Sequence, residues 1–158
     1  MVGNLSPNFS ISEAIESPTA SRLEISNVPS LSILEVMRKT AIGMELVRAT
    51  LNSPIRISSW YRSLELNRAL RSKDTSQHIK GEAVDFTSTL FGSPFEIVQC
   101  LVERKDKIRF DQLILEHTWV HISFQSNPDI SPRGEVLSLL AGGAYALGIT
   151  DRQGRRSR

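Results

Sequence analysis

Cysteine and histidine are nearly absent from this 158-residue chain, which has one of the first and three of the second. The lone thiol, Cys100, excludes an internal disulfide and a thiolate-rich zinc site. It falls in FEIVQCLVERK, whose apolar spacing suits a helix, so interior packing is its expected role. Also missing is any apolar run near the ~20 residues needed to span a bilayer. The opening MVGNLSPNFSISEAIES lacks a basic start followed by an apolar stretch, so no secretory signal is expected, and no membrane partner.

A large excess of charge is missing too. The net charge is +2, but the last seven residues, RQGRRSR, hold four of the 19 basic side chains, leaving 15 against 17 acidic ones in residues 1–151. The body is therefore not a basic nucleic-acid surface, and no specific nucleic-acid partner is expected. Residues 152–158 read as a short, solvated, disordered basic tail, with phosphate-rich polymers as its weaker alternative.

What is present fits one α+β domain over residues 1–151, with helices packed on a small antiparallel sheet. Residues 8–29 contain two short helical pieces, SISEAIES and TASRLEIS, with Ser12 and Thr19 as expected N-caps. PSLSILEVMRKTAIGMELVRATLN is the clearest long helix. Its stripe comprises Leu31, Leu34, Met37, Ala41, Met44, Val47 and Leu51, and Asn52 with Pro54 ends it. IRISSWYRS reads as a strand entering a loop, SLELNRALRS as a short helix, and residues 82–87 as a second strand. SPFEIVQCLVERKDK is a further helix capped by Ser93, with Pro94 in its first position. FDQLILEH and TWVHISFQ read as paired strands with a tight connection, and residues 133–149 as a strand or hairpin around a Gly-Gly pair.

The three histidines are not scattered. His78 stands in SQHIKGEAVDF, and His117 and His121 in LEHTWVHISF. In WVHISFQ, Val120, Ile122 and Phe124 alternate with Trp119, His121, Ser123 and Gln125, so the first set faces the core and the second an open face. His117 and His121 are four apart, which on a strand is ~13 Å, whereas zinc ligands lie ~2.1 Å from the ion. Both reach one metal only if the chain folds back, so His121 is the better ligand and His117 sits at the turn. In EAVDF the same parity puts Val84 and Phe86 in the core and Asp85 opposite, with Ala83. His78 can fold back toward Asp85, and Gly81 permits close backbone approach. Asp85 is then either a ligand or the carboxylate that orients a histidine. Scattered surface polarity is the plain alternative.

These stretches resemble a family. SQHIKGEAVDF fits the S-x-H-x-x-G-x-A-x-D signature of the zinc D-Ala-D-Ala carboxypeptidases and their L-Ala-D-Glu endopeptidase relatives. WVHIS resembles that family's W-x-H strand, and IRISSWYRSLELN its S-S-x-Y-R-S-x-x-L-N segment. FSISEAIES, TASRLEISN and FDQLILE resemble the short branch common in bacteriophage genomes, and coverage runs from about residue 8 to about residue 140.

The resemblance implies a hedgehog-like D,D-peptidase fold and one zinc ion held by His78, Asp85 and His121, with water in the fourth position. It implies hydrolysis of peptide bonds in peptidoglycan stem peptides, by a D,D-carboxypeptidase or an L-Ala-D-Glu-type endopeptidase. Family members often carry the catalytic carboxylate three residues before the last ligand, where this chain has Thr118. Glu116 is the first choice for that role; Glu82 is its rival, and His117 is a further proton-transfer candidate. Arg62 matches the family arginine that contacts substrate and developing negative charge. Ser76, Gln77 and Trp119 are candidate substrate contacts. Trp60 stands where relatives often have glycine and Leu64 where they often have proline, and either is expected to narrow the cleft. The implied setting is phage-associated: release through a holin from the host cytoplasm to the wall, or carriage among other virion proteins. A second reading keeps the zinc and loses turnover, giving a structural or virion domain, and the displaced carboxylate is the feature that favours it.

Overall fold

A computed structural model describes residues 3–156. A two-stranded ribbon, β1 (Asn4–Ser6) and β2 (Phe9–Ser10), leads into two short helices, α1 (Ile11–Ile15) and α2 (Pro18–Arg22). The caps are Ser10 and Ser17, each two residues before the expected Ser12 and Thr19. Ser10 wins because Glu13 lies three residues on. The Ser10 hydroxyl accepts the Glu13 N–H while the Glu13 carboxylate accepts the Ser10 N–H, closing a capping box. Ser17 wins because Pro18, with no N–H to satisfy, occupies the first helical position.

The long helix α3 (Leu31–Leu51) starts at Ser30 and stops at Asn52, whose φ of 45° is the left-handed turn that ends helices. Its stripe from Leu34 to Leu51 is buried as expected, but Leu31 at its first turn is 82% exposed. The expected single helix after residue 92 is two: α5 (Pro94–Val102), capped by Ser93, and α6 (Lys105–Ile108). The break aims Ile108, and Phe110 after it, into the core. Cys100 on α5 is only half-buried, packed at the margin of the core rather than inside it.

These helices, with α4 (Leu64–Ala69), accompany a six-stranded sheet. Its strands are β3 (Arg56–Ser59), β4 (Ala83–Thr87), β5 (Gln112–Leu115), β6 (Val120–Ser123), β7 (Glu135–Leu139) and β8 (Tyr145–Leu147), in the spatial order β3-β4-β6-β5-β7-β8. Neighbours are antiparallel except β5 and β7, which run parallel. The expected small antiparallel sheet thus contains one parallel pair, because residues 124–134 cross the start of β5, from Ser123 on one side of Gln112 to Glu135 on the other. The Gly-Gly pair does mark a hairpin: Gly143, at φ +86°, lies in the turn joining β7 to β8.

Two central strands set the site. Val84, Phe86, Val120 and Ile122 are wholly buried and join the main core with Met37, Met44 and Leu101. The alternate residues face the other way, and the register places Asp85 directly opposite His121. That second face is less open than the parity suggested, since Ala83 and Ser123 are also wholly buried. The basic end is partly paired. The Arg155 guanidinium bonds the Asp151 carboxylate at 2.7 Å, and Thr150 bridges to Arg156. The tail's last two positions, 157 and 158, lie outside the described residues.

Candidate metal centre

Three side chains from three segments meet on that face. Asp85 comes from the middle of β4, His121 from β6 beside it, and His78 from the loop before β4. One ligating atom from each lies within 4.8 Å of the other two. The Asp85 carboxylate is the hub: Oδ1 is 2.8 Å from His121 Nδ1, and Oδ2 is 3.2 Å from His78 Nε2. The imidazole rings stand edge to face with centroids 5.2 Å apart.

The fold prepares each of these atoms. His78 Nδ1 lies 2.6 Å from the Trp60 carbonyl, a contact that requires Nδ1 to carry the proton and leaves Nε2 as a lone pair toward Asp85. His78 itself is placed by a tight loop, closed by the Gly81 N–H to the His78 carbonyl at 3.2 Å. Gly81 adopts φ +76°, and a Cβ there would stand 2.6 Å from Met37 Cγ, so both backbone and packing demand glycine. The Gly81 carbonyl accepts from Thr40 Oγ1 at 2.9 Å and from the Trp60 indole N–H at 3.0 Å. Trp60 thus supports the ligand loop from beneath. It is buried against Phe9 and does not narrow the cleft, and Leu64, exposed at the start of α4, does not line the cleft either.

Arg62 completes the hub. Its Nη2 donates to Asp85 Oδ2 at 3.0 Å and its Nε to Ser59 Oγ at 2.9 Å. Burial opposes charge on both groups: it lowers the arginine's proton affinity, an effect Asp85 counteracts. On Asp85 burial is outweighed by neighbouring groups, the hydrogen bond to His121 among them, and its carboxyl is held well below the ordinary range. Burial likewise favours neutral His78, the form that can ligate a metal. Two imidazoles and a carboxylate suit zinc by donor type, and the atom spacing fits one ion.

The trio lies in a cleft of about 1060 Å³. Ser76, Gln77, Glu82, Glu116 and Trp119 line it with Arg62, so most of the residues singled out in the sequence share one cavity. His117, at the turn joining β5 to β6, is not among the lining residues. Glu82 is buried and accepts from Gln77 Nε2 and from the Ser126 hydroxyl, fastening the ligand loop to residues 124–126. Glu116 is brought round by the expected bend, its N–H donating to the Trp119 carbonyl at 3.2 Å. Strand parity finishes the placement: Ile114 pairs with His121, and Glu116 lies two residues beyond Ile114, on the same face. Burial raises the Glu116 pKa, with nearby Asp85 adding to the effect and His121 and the Tyr145 hydroxyl opposing it.

The sequence reading missed four contributors. Asp111, 2% exposed, bonds Gln77 Nε2 at 3.1 Å and Arg133 Nη2 at 2.7 Å, steadying the loop that carries His78. Arg133, Leu137 and Tyr145 line the far side of the cleft. No motif marks these positions, and only the sheet order brings them near the trio.

No curated protein gives a significant match to this chain. A family comparison matches residues 7–123, well over half of the sequence, to Peptidase M15. The matched span contains His78, Asp85, His121, Arg62 and Glu116, and the zinc dependence of that family agrees with the donor set those residues assemble. The chain belongs to the peptidase M15 family.

Proposed function

We propose that the protein is a zinc-dependent hydrolase of peptide bonds in peptidoglycan stem peptides, with His78, Asp85 and His121 as the ligands. The observation that carries this reading is the convergence of three ligating atoms within 4.8 Å, on the wall of a cleft that also holds Glu116 and Arg62. Zinc bound there supplies a Lewis acid for the substrate carbonyl and lowers the pKa of water toward ~7.

The chain's own residues do the rest. The Trp60 carbonyl keeps the proton of His78 on Nδ1, so the ring presents only its lone pair to the ion. Glu116 accepts the proton of the attacking water and passes it to the nitrogen of the leaving amine. Its raised pKa suits both halves of that transfer, since the carboxyl must release as well as take the proton. Arg62 commits Nε to Ser59 and Nη2 to Asp85, and its remaining N–H donors serve the negative charge that develops on the carbonyl oxygen. Trp119, Ile114 and Leu137 give the substrate peptide an apolar wall, and Ser76 and Gln77 supply polar contacts at the ligand loop. The motif resemblance supports peptidoglycan as substrate and a phage-associated setting.

Zinc-loaded protein incubated with muropeptides releases new amino groups, and mass spectrometry of the products separates loss of terminal D-Ala from internal cleavage. Glu116→Gln lowers kcat by about 10²–10⁴-fold with zinc retained. Because Glu116 must be ionised to act as base, kcat/KM falls on acidification as that carboxylate protonates. Stoichiometric zinc with no amine released from any wall peptide sinks the hydrolase reading and leaves a zinc-binding domain without turnover.

A further inference from the structure

Four of the cleft's lining residues, Gln125, Arg133, Leu137 and Tyr145, come from chain beyond the span matched to the family. β7 and β8 therefore extend the wall that the matched segment begins. β7 lies against β5 with Leu137 opposite Ile114, and β8 lies against β7 with Tyr145 opposite Leu139. Ile114 and Leu137 thus continue from His121 as an apolar strip across the neighbouring strands, from the metal trio toward β8.

Tyr145 leans back along this surface. Its hydroxyl donates to Glu116 Oε1 at 3.5 Å, although the two residues are 29 apart in sequence. Among the described residues no other side chain hydrogen-bonds the Glu116 carboxylate. The fold has little need of this phenol, since the residue is 52% exposed and β8 is held by backbone pairing. A half-exposed hydroxyl directed at the carboxylate beside the trio fits a task in the cleft better than one in the core.

We propose that Tyr145 is a positioning residue for Glu116: its O–H fixes one carboxylate oxygen and so orients the other for proton transfer. This rests on the reading of Glu116 as the proton-transfer group. The terminal torsion of a glutamate is broad, and a donor at one oxygen narrows it. The hairpin beyond the matched span then does more than widen the cleft, because it sets the geometry of the reacting group.

The test uses the full, zinc-loaded chain, with Tyr145→Phe, Glu116→Gln and the double variant assayed on one muropeptide. Tyr145→Phe keeps the ring and the strand and lowers kcat about tenfold, the scale of one hydrogen bond. KM, zinc content and thermal midpoint stay at their wild-type values. In the Glu116→Gln background the same substitution causes no further loss, which a merely structural role for the hydroxyl does not produce. Wild-type kcat in Tyr145→Phe alongside a disabled Glu116→Gln overturns the inference alone. A raised KM with unchanged kcat also overturns it, making the phenol a substrate contact. Full activity in Glu116→Gln removes the underlying reading of Glu116, and the inference with it.

Discussion

The two faces of β4 and β6 are built from alternate residues of the same nine-residue pair of strands, yet they work by different physics. On one face Val84, Phe86, Val120 and Ile122 are wholly buried in a shared apolar core. Their contribution is non-directional, scales with the area removed from water, and is shared among many neighbours. On the other face Asp85 is 7% exposed, and burying its charge is unfavourable unless specific atoms answer it. Arg62 Nη2 and His121 Nδ1 do so at 3.0 and 2.8 Å. The core face tolerates approximation and supplies stability, whereas the site face depends on individual atoms and supplies chemistry. One strand period separates them.

That contrast can be broken or sharpened by substitution. The largest expected effect is on the core face: Phe86→Ala destabilises by about 3–5 kcal/mol, read from the denaturant midpoint, and loses zinc only through unfolding. A folded Phe86→Ala protein with weakened zinc binding breaks the separation of the faces. Next is His121→Gln, which keeps a donor for Asp85 but removes the imidazole. Zinc affinity falls at least about 100-fold, measured by competition with a chelator, while the metal-free protein shifts in stability by less than about 1 kcal/mol. The smallest is Gly81→Ala, where the faces join. The strained φ and the clash with Met37 cost about 1–2 kcal/mol, and the displaced ligand loop weakens zinc binding in the same variant. An unchanged zinc affinity there shows that the loop repacks independently of the core.

Alternation made the face assignments legible, because a strand's side chains switch sides at every residue whatever surrounds it. Asp85 and His121 could therefore be placed on one face before any pairing was known, and the register sets them opposite each other. Gly81 was legible for a similar reason, as a residue type with one conformational use. Trp60 was misjudged because its sequence position says nothing about direction: the indole turns down to the Gly81 carbonyl rather than up into the cleft. Asp111, Arg133 and Tyr145 carried no signal, since an acid, a base and a phenol in unpatterned segments look like surface polarity until the sheet order brings them to the site.

The sequence by itself determined the local quantities: helix stripes, strand parity, the absence of thiolate ligands, and a small set of imidazoles and carboxylates able to hold a divalent ion. Tertiary structure decided which distant atoms meet. It chose the parallel β5–β7 pairing, put the Trp60 carbonyl against His78 Nδ1, and carried Tyr145 back to Glu116. The division follows from range. Periodicity and backbone conformation are fixed by neighbours a few residues apart, whereas contacts such as Tyr145 to Glu116, 29 residues apart, and His121 to Asp85, 36 apart, exist only once the chain has closed on its core.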